Sequence, residues 1–398
     1  MIRAVTAAGG GPRGVRAFNR AQVLRCLGAL GELSRAQLAD ATGLSRTTIH
    51  GLVRELQSDG AIDERAGRPV AGSGTGRPPA VLRLRPRSGA VVGVDLGHRH
   101  LRVAVADLGG RILGEEAADA RIDPSARETL DLAATLVKRV LRATGVPRRT
   151  VSEAVLGVPG PVNHRAGTVA VVGRIMSDWS GLAPAQKLGA RIRVPVRLEN
   201  DGNLGALGEL TYGAASGSGD FVYVKLATGI GAGLVLGGRL YRGNAGFAGE
   251  IGHVQVADNG TLCSCGSRGC LSTYASGSHL VDLLQPHHEQ TLTVADIVSL
   301  TRAGNPTARR AVADAGRAVG RVLADLCNIM NPSMIVIGGA LAGCGAPLLD
   351  AVRESVNRYA QPLIAGDVTV VAGGLGDRAE VLGAVALALD ARQASPAG

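Results

Sequence analysis

Near its start the chain places apolar residues at helical spacing. Val23, Leu24, Leu27 and Leu30 share one stripe, which predicts an amphipathic helix over residues 19–30. Ser34 stands where a helix start needs a side-chain acceptor for its first backbone N–H groups, so a second helix is expected over Arg35 to Thr42. Gly43 follows at the position of a tight turn, where a positive φ is needed. Ser45 then caps a third helix running to about Ser58. Ala39, Leu44, Ile49, Leu52, Val53 and Leu56 supply the buried faces, in the spacing of a helix-turn-helix. After Gly60 a strand is expected from Ile62, then a Gly-, Arg- and Pro-rich stretch over 65–79, then a strand over 80–84. Two strands around such a loop make a wing.

From Ala90 the texture becomes that of a packed α/β body. Apolar strands are expected over 91–97, 101–106 and 111–115, the first ending in Asp95, Leu96 and Gly97. A strand-turn-strand with Asp and Gly at the bend is how an actin-like fold begins. A helix over 126–144 follows. Next come a strand over 154–158 entering Gly157-Val158-Pro159-Gly160-Pro161-Val162, and another over 194–198 entering Glu199-Asn200-Asp201. The theme then repeats: a strand over 221–226, a glycine turn over 228–233 and a strand over 234–236. This duplication points to two related α/β lobes with a cleft between them. The expected division is a winged helix-turn-helix with its N-terminal arm over 1–88, a first lobe from 89–200 plus 376–398, and a second lobe over 201–375 carrying a dimerisation surface.

Composition narrows the class. At 398 residues, with 45% apolar and 19% charged residues, the chain is too apolar to be mainly disordered and long enough for two or three domains. Aromatics reach only 2%, so the cores must be aliphatic. The longest late apolar run, 381–389, falls far short of the roughly 18 residues of a membrane span. The basic N-terminus is broken by Gly9-Gly10-Gly11-Pro12 without an apolar stretch behind it, so a cytoplasmic protein is expected, away from membranes.

Charge is unevenly placed. The whole chain carries +10, and residues 1–88 alone hold 14 arginines against six acidic residues. A basic segment on a near-neutral body suggests a polyanion-binding module. Only Lys138, Lys187 and Lys225 are lysines, and Arg favours forked contacts to phosphate and base edges. Arg46, Thr47, Thr48 and His50, on the exposed start of the third helix, are the candidates for major-groove contacts; Arg77, in the wing, is the candidate for the minor groove. The alternatives are a solvated basic arm, or a three-helix protein-interaction domain with a linker.

The most specific chemical pattern is His253-(x)9-Cys263-x-Cys265-(x)4-Cys270. It gathers four nitrogen and sulfur ligands in 18 residues, with Gly266 and Gly269 permitting the turns. Four protein ligands leave no open position, so a structural zinc ion (Zn2+) is expected, not a Lewis acid. Cys26, Cys327 and Cys344 lie in apolar surroundings and read as ordinary packed residues.

These motifs together resemble the ROK family (repressors, open reading frames and kinases), in particular its sugar-responsive repressor branch. The resemblance rests on Leu198-Glu199-Asn200-Asp201-Gly202-Asn203, Leu226-Ala227-Thr228-Gly229-Ile230-Gly231, Gly249-Glu250-Ile251-Gly252-His253, the cysteine cluster, and Asn331-Pro332-(x)5-Gly338-Gly339. It covers nearly the whole chain and implies a two-lobed, actin-like (ribonuclease H-like) sugar-kinase fold behind the winged helix-turn-helix. It implies that Asn200 and Asp201 grip a sugar, with Asp201 at the position of the kinases' base. Glu250 and His253 are implied to meet sugar hydroxyls, His253 doubling as zinc ligand, while Gly160, Pro161 and Val162 line the pocket.

Two departures bear on activity. The kinase phosphate motif is Asp-x-Gly-Gly-Thr, whereas this chain has Asp95-Leu96-Gly97-His98-Arg99. The bulk of His98 and Arg99 opposes the usual nucleotide pose, so ATP is not expected and no residue is expected to be catalytically active. The zinc motif of the family ends Gly-Cys-Leu-Glu, and here Ser272 replaces that Glu. The expected function is therefore a sequence-specific DNA-binding regulator, a repressor of carbohydrate metabolism. Its expected partners are double-stranded palindromic operator DNA, a small sugar effector and a second copy, as homodimer or homotetramer. Two alternatives stay open: an active ATP-dependent sugar kinase with an accessory DNA-binding domain, and a partner-binding scaffold whose cleft is vestigial.

Overall fold

The computed structural model describes residues 19–65 except 21, 25, 29 and 59, and then 80–84, 89–120, 125–170 and 177–390. The N-terminal unit is built as its pattern predicts. The described residues between 19 and 30 are helical, with Val23, Leu24 and Leu27 buried. Leu30 is the exception: it ends the helix 62% exposed, because the chain turns away at Gly31 (φ +79°). Helix Arg35–Thr42 starts in a capping box between Ser34 and Gln37 and stops at Gly43, whose φ of +69° makes the turn. Helix Arg46–Ser58 follows, with the Thr48 N–H donating to Ser45 Oγ at 3.1 Å. Ile49, Leu52, Val53 and Leu56 close the core over Leu38.

Strands β1 (Leu33–Ser34), β2 (Ile62–Arg65) and β3 (Val81–Leu84) form an antiparallel sheet in the order β1-β3-β2. The wing strands are thus present, joined by a third strand that propensity did not mark because it has only two residues. The wing loop, with Arg77, lies outside the described residues.

The body contains two five-stranded sheets of the same topology. The first comprises β4 (Ala90–Leu96), β5 (His100–Asp107), β6 (Ile112–Asp119), β7 (Val151–Val158) and β10 (Val196–Asn200), in the order β10-β7-β4-β5-β6. The second comprises β11 (Phe221–Leu226), β12 (Ile230–Leu236), β13 (Arg239–Tyr241), β14 (Met334–Gly338) and β15 (Thr369–Ala372), in the order β13-β12-β11-β14-β15. In each, the first strand pairs antiparallel with the second and parallel with the fourth. Every residue of β4 and of β11 is buried, which explains their unbroken apolar runs. A short hairpin, β8 (Val162–Asn163) with β9 (Thr168–Val169), stands between the sheets. Val162 is fully buried in the first core, so it supports the pocket wall from behind and does not line it.

Helices Asp201–Tyr212 and Ala379–Leu389 cross between the sheets. A Cβ on Gly208 would fall 2.1 Å from Ala379 O, and one on Gly383 would fall 1.8 Å from Leu204 O. The two backbones therefore touch without intervening side chains. The N-terminal unit meets the body the same way: a Cβ on Gly28 would lie 2.7 Å from Gly109 O in the turn between β5 and β6. Among the described residues, no helix is long and apolar enough to cross a membrane.

Candidate functional site

A cleft of about 1110 Å³ lies between the sheets, at the carboxyl ends of their parallel strands, where open α/β sheets expose backbone and polar ends. Gly160, Pro161, Asn200, Asp201, Glu250 and His253 all line it, so the structure brings six of the seven expected sugar-site residues together. Asn200 is held from both ends: its Nδ2 donates to Gly160 O at 2.9 Å, and its Oδ1 caps the following helix by accepting from Asn203 N at 3.1 Å. Asp201 Oδ1 accepts from Gly202 N at 2.8 Å and Oδ2 from Lys225 Nζ at 2.9 Å. Glu250 enters from a turn at Gly249, where φ is +95° and a Cβ would strike Ala232 O at 1.9 Å. Burial, and then the charge of Asp201, push the Glu250 carboxyl up to about 7. Such a group can donate as well as accept, which suits a sugar hydroxyl.

The loop after β4 is closed on itself. Gly97 N–H donates to His100 O at 2.9 Å, and a Cβ on Gly97 would sit 2.1 Å from the His100 ring. His100 Nε2 lies 2.8 Å from Asp95 Oδ2, and that carboxylate is fully buried. Its hydrogen bond to Asp95 raises the His100 pKa against the opposing effect of burial. His98 and Arg99 line the cleft beside it, and Arg99 is exposed. Next to the two departures seen in the sequence, the His100 ring covers the loop's backbone at Gly97. Ser272 also lines the cleft and lies against Gly252.

Lys225 and Glu380 are cleft residues that pattern reading passed over. Lys225 Nζ lies 3.1 Å from Glu380 Oε1, and Tyr223 Oη donates to the same oxygen at 3.3 Å. The signals were present: a rare lysine inside a buried strand, and one acid at the head of the most apolar helix.

The four ligand atoms of His253, Cys263, Cys265 and Cys270 lie within 4.8 Å of one another. Cys263 Sγ is 3.6 Å from His253 Nδ1, and Cys265 Sγ is 3.7 Å from Cys270 Sγ. Tetrahedral zinc with bonds of about 2.3 Å sets sulfur atoms about 3.8 Å apart, so the donors suit it in type and spacing. Burial and the neighbouring sulfurs of Cys265 and Cys263 push the Cys270 thiol up to about 12, a cost that a bound cation removes. Gly266 (φ +90°) and Gly269 (φ +65°) make the turns. The other ring nitrogen, His253 Nε2, is 4.0 Å from Glu250 Oε2 on the cleft side, so one histidine links the cluster to the cavity.

On the N-terminal unit, Arg46, Thr47 and His50 are exposed on the first turns of helix Arg46–Ser58. Thr48 is half-buried, and its hydroxyl lies 2.9 Å from Ser45 Oγ. Its first role is therefore in the cap.

The ROK family model matches residues 91–391. The chain belongs to the ROK family. Residues 19–65 match the IclR helix-turn-helix domain, so this ROK protein joins a DNA-binding type of domain to the family body. It is 27% identical over 388 residues to the xylose repressor of Caldicellulosiruptor bescii, covering 94% of this chain and 96% of that one. A solved ROK family transcriptional regulator, a homologue of the E. coli MLC protein, superposes with a TM-score of 0.77 at 24% identity over 96% of this chain and 98% of its own. That likeness shows a shared fold, N-terminal unit included. A ROK glucokinase from Streptomyces griseus, solved with glucose and AMPPNP, is 31% identical with a TM-score of 0.66. It covers 75% of this chain and 99% of its own.

Proposed function

We propose that this ROK protein is a sequence-specific transcriptional regulator, a repressor of carbohydrate-metabolism genes, that senses a sugar in its cleft. One observation carries the reading. A helix-turn-helix with an exposed Arg46, Thr47 and His50 is joined to a body whose cleft assembles Asn200, Asp201, Glu250 and His253 while His100 covers the loop after β4. The full-length likeness to a xylose repressor supports it.

In this reading Arg46, Thr47, Thr48 and His50 face the major groove and Arg77 the minor groove. Residues 1–88 form the DNA-binding domain. Residues 89–200 with 376–398, and 201–375, form the two lobes. The protein works in the cytoplasm as a homodimer or homotetramer on a palindromic operator, so that two recognition helices engage half-sites together. His253, Cys263, Cys265 and Cys270 hold a structural zinc ion, which fixes the imidazole for a sugar hydroxyl. Sugar shifts DNA affinity only as far as it favours one arrangement of lobes and DNA-binding domain over another.

The test is fluorescence anisotropy with DNA from the protein's own promoter region at fixed salt, with and without a panel of sugars. The reading requires tighter binding to one site than to random DNA, and a sugar that changes it. Equal affinity for every sequence overturns it.

The glucokinase likeness and the retained Asp201 favour one second reading, an active ATP-dependent sugar kinase with an accessory DNA-binding domain. A coupled assay of ATP consumption across sugars separates the two. Turnover abolished by Asp201→Ala establishes the kinase.

A further inference from the structure

Two carboxylates meet one ammonium on the floor of the cleft, and the charge of a third, buried one acts on it from behind. Lys225 sits inside β11, whose six residues are all buried. Its Nζ lies 2.9 Å from Asp201 Oδ2 and 3.1 Å from Glu380 Oε1. Asp95, whose Oδ2 lies 2.8 Å from His100 Nε2, adds a third negative charge from the end of β4 that acts on the same ammonium; its side chain has no exposure, and its Oδ1 is buried without a hydrogen-bond partner among the described residues. The three acids come from a strand end and from the first turns of two different helices. The fold as a whole, not one loop, builds the cluster.

Buried carboxylates that share a site cannot all ionise without a cation between them. Oxygen-only clusters of this kind attract divalent metal ions. Here the cation is covalently part of the chain. Burial opposes a charged lysine, but Asp201, Glu380 and Asp95 together outweigh it and hold the ammonium in its charged form well beyond the usual range. Asp201 is thereby fixed, one oxygen on Lys225 and the other on Gly202 N.

We infer that Lys225 is the resident cation of the cleft, occupying the place among Asp95, Asp201 and Glu380 that a divalent metal ion would otherwise take, so that a neutral polyhydroxy ligand is held there without metal or metal-bound nucleotide. Only the identity of the ligand rests on the sugar-receptor reading. The ammonium supplies the positive charge permanently and does not exchange with solvent. Asp201 acts as an oriented acceptor for a ligand hydroxyl.

The probe is Mn2+, followed by electron paramagnetic resonance on the zinc-loaded full chain. Wild type should show no site at millimolar Mn2+ that Asp201→Asn alters. Lys225→Met should gain a Mn2+ site at least tenfold tighter than any in wild type, and adding Asp201→Asn should remove it. Removing a buried counter-charge can unfold a protein, so Lys225→Met/Glu380→Gln is the companion variant. It deletes one acid with the base and should still gain the site through Asp95 and Asp201. An Asp201-dependent Mn2+ site in wild type overturns the inference. So does a folded Lys225→Met or double variant, verified by circular dichroism, that gains none. The wild-type comparison needs neither lysine variant. A protein that binds no sugar yet gives the expected Mn2+ results would refute the receptor reading and leave the resident cation standing.

Discussion

Glu199 Oε2 lies 2.7 Å from Arg242 Nε, and this contact ties the last strand of the first sheet to the chain just beyond the edge strand of the second. The other oxygen of Glu199 accepts from Asn203 Nδ2 at 2.9 Å and Asn200 N at 3.0 Å, and lies 3.1 Å from His164 Nε2. Burial opposes this charge, but His164 and Arg242 outweigh it and hold the carboxyl down at about 2. A depressed carboxyl contributes stability that is full above its unfolded value of 4.5 and is lost as pH falls toward 2. Glu199→Gln should therefore lower stability at neutral pH by on the order of 3 kcal/mol. It should also flatten the loss of melting temperature between these pH values. Calorimetry of wild type and variant across that range checks both effects.

The cysteine cluster predicts one zinc ion per chain by elemental analysis. Cys270→Ser, or prolonged chelation, should remove the metal and lower the melting temperature, because the buried thiols then lose their counter-charge. Since His253 Nδ1 faces the cluster and Nε2 the cleft, sugar affinity measured by calorimetry should fall with the metal.

Arg46→Ala should reduce operator affinity about tenfold to a hundredfold, the usual cost of about 1–3 kcal/mol for a lost base contact. The side chain is exposed, so the melting temperature should not move. Ile49→Ala, one position before His50, should instead destabilise the N-terminal unit by about 2–5 kcal/mol, because Ile49 is fully buried. Anisotropy and thermal unfolding separate the two effects.

Gly28 offers a different handle. Its Cα meets the Gly109 backbone so closely that any side chain must push the DNA-binding unit from the body. Gly28→Val should change operator affinity, and its response to sugar, while sugar affinity of the isolated protein stays within twofold. Parallel anisotropy and calorimetry would check this.

Much of this architecture was legible because its signals are local. Ser34, Gly43 and Ser45 announce caps and a turn through their own backbone chemistry, and the zinc ligands fall within 18 residues. The cleft was legible through the motif carrying Asn200 and Asp201. Lys225 and Glu380 were not, since they are 155 residues apart and each looks anomalous until the fold pairs them. His100 escaped notice because the sequence shows residue bulk at 98 and 99 but not which ring folds back over Gly97. Val162 and Leu30 were misplaced for a common reason. Leu30 ends its helix and Val162 opens a strand of two residues, and a periodic pattern does not tell which way a side chain points at such a boundary.

The helix Asp201–Tyr212 spans the distance between the two ends of the problem. At about 1.5 Å per residue its 12 residues make a rod some 18 Å long. One end carries Asp201 in the cleft, and at the other Tyr212 Oη reaches Gly110 O at 3.4 Å, next to the Gly109 that Gly28 abuts. Its middle rests on Ala379 and Gly383 with bare backbone, as an axle rests in a bearing. A tilt at the cleft end would then reach the footing of the N-terminal unit through the side chain of Tyr212.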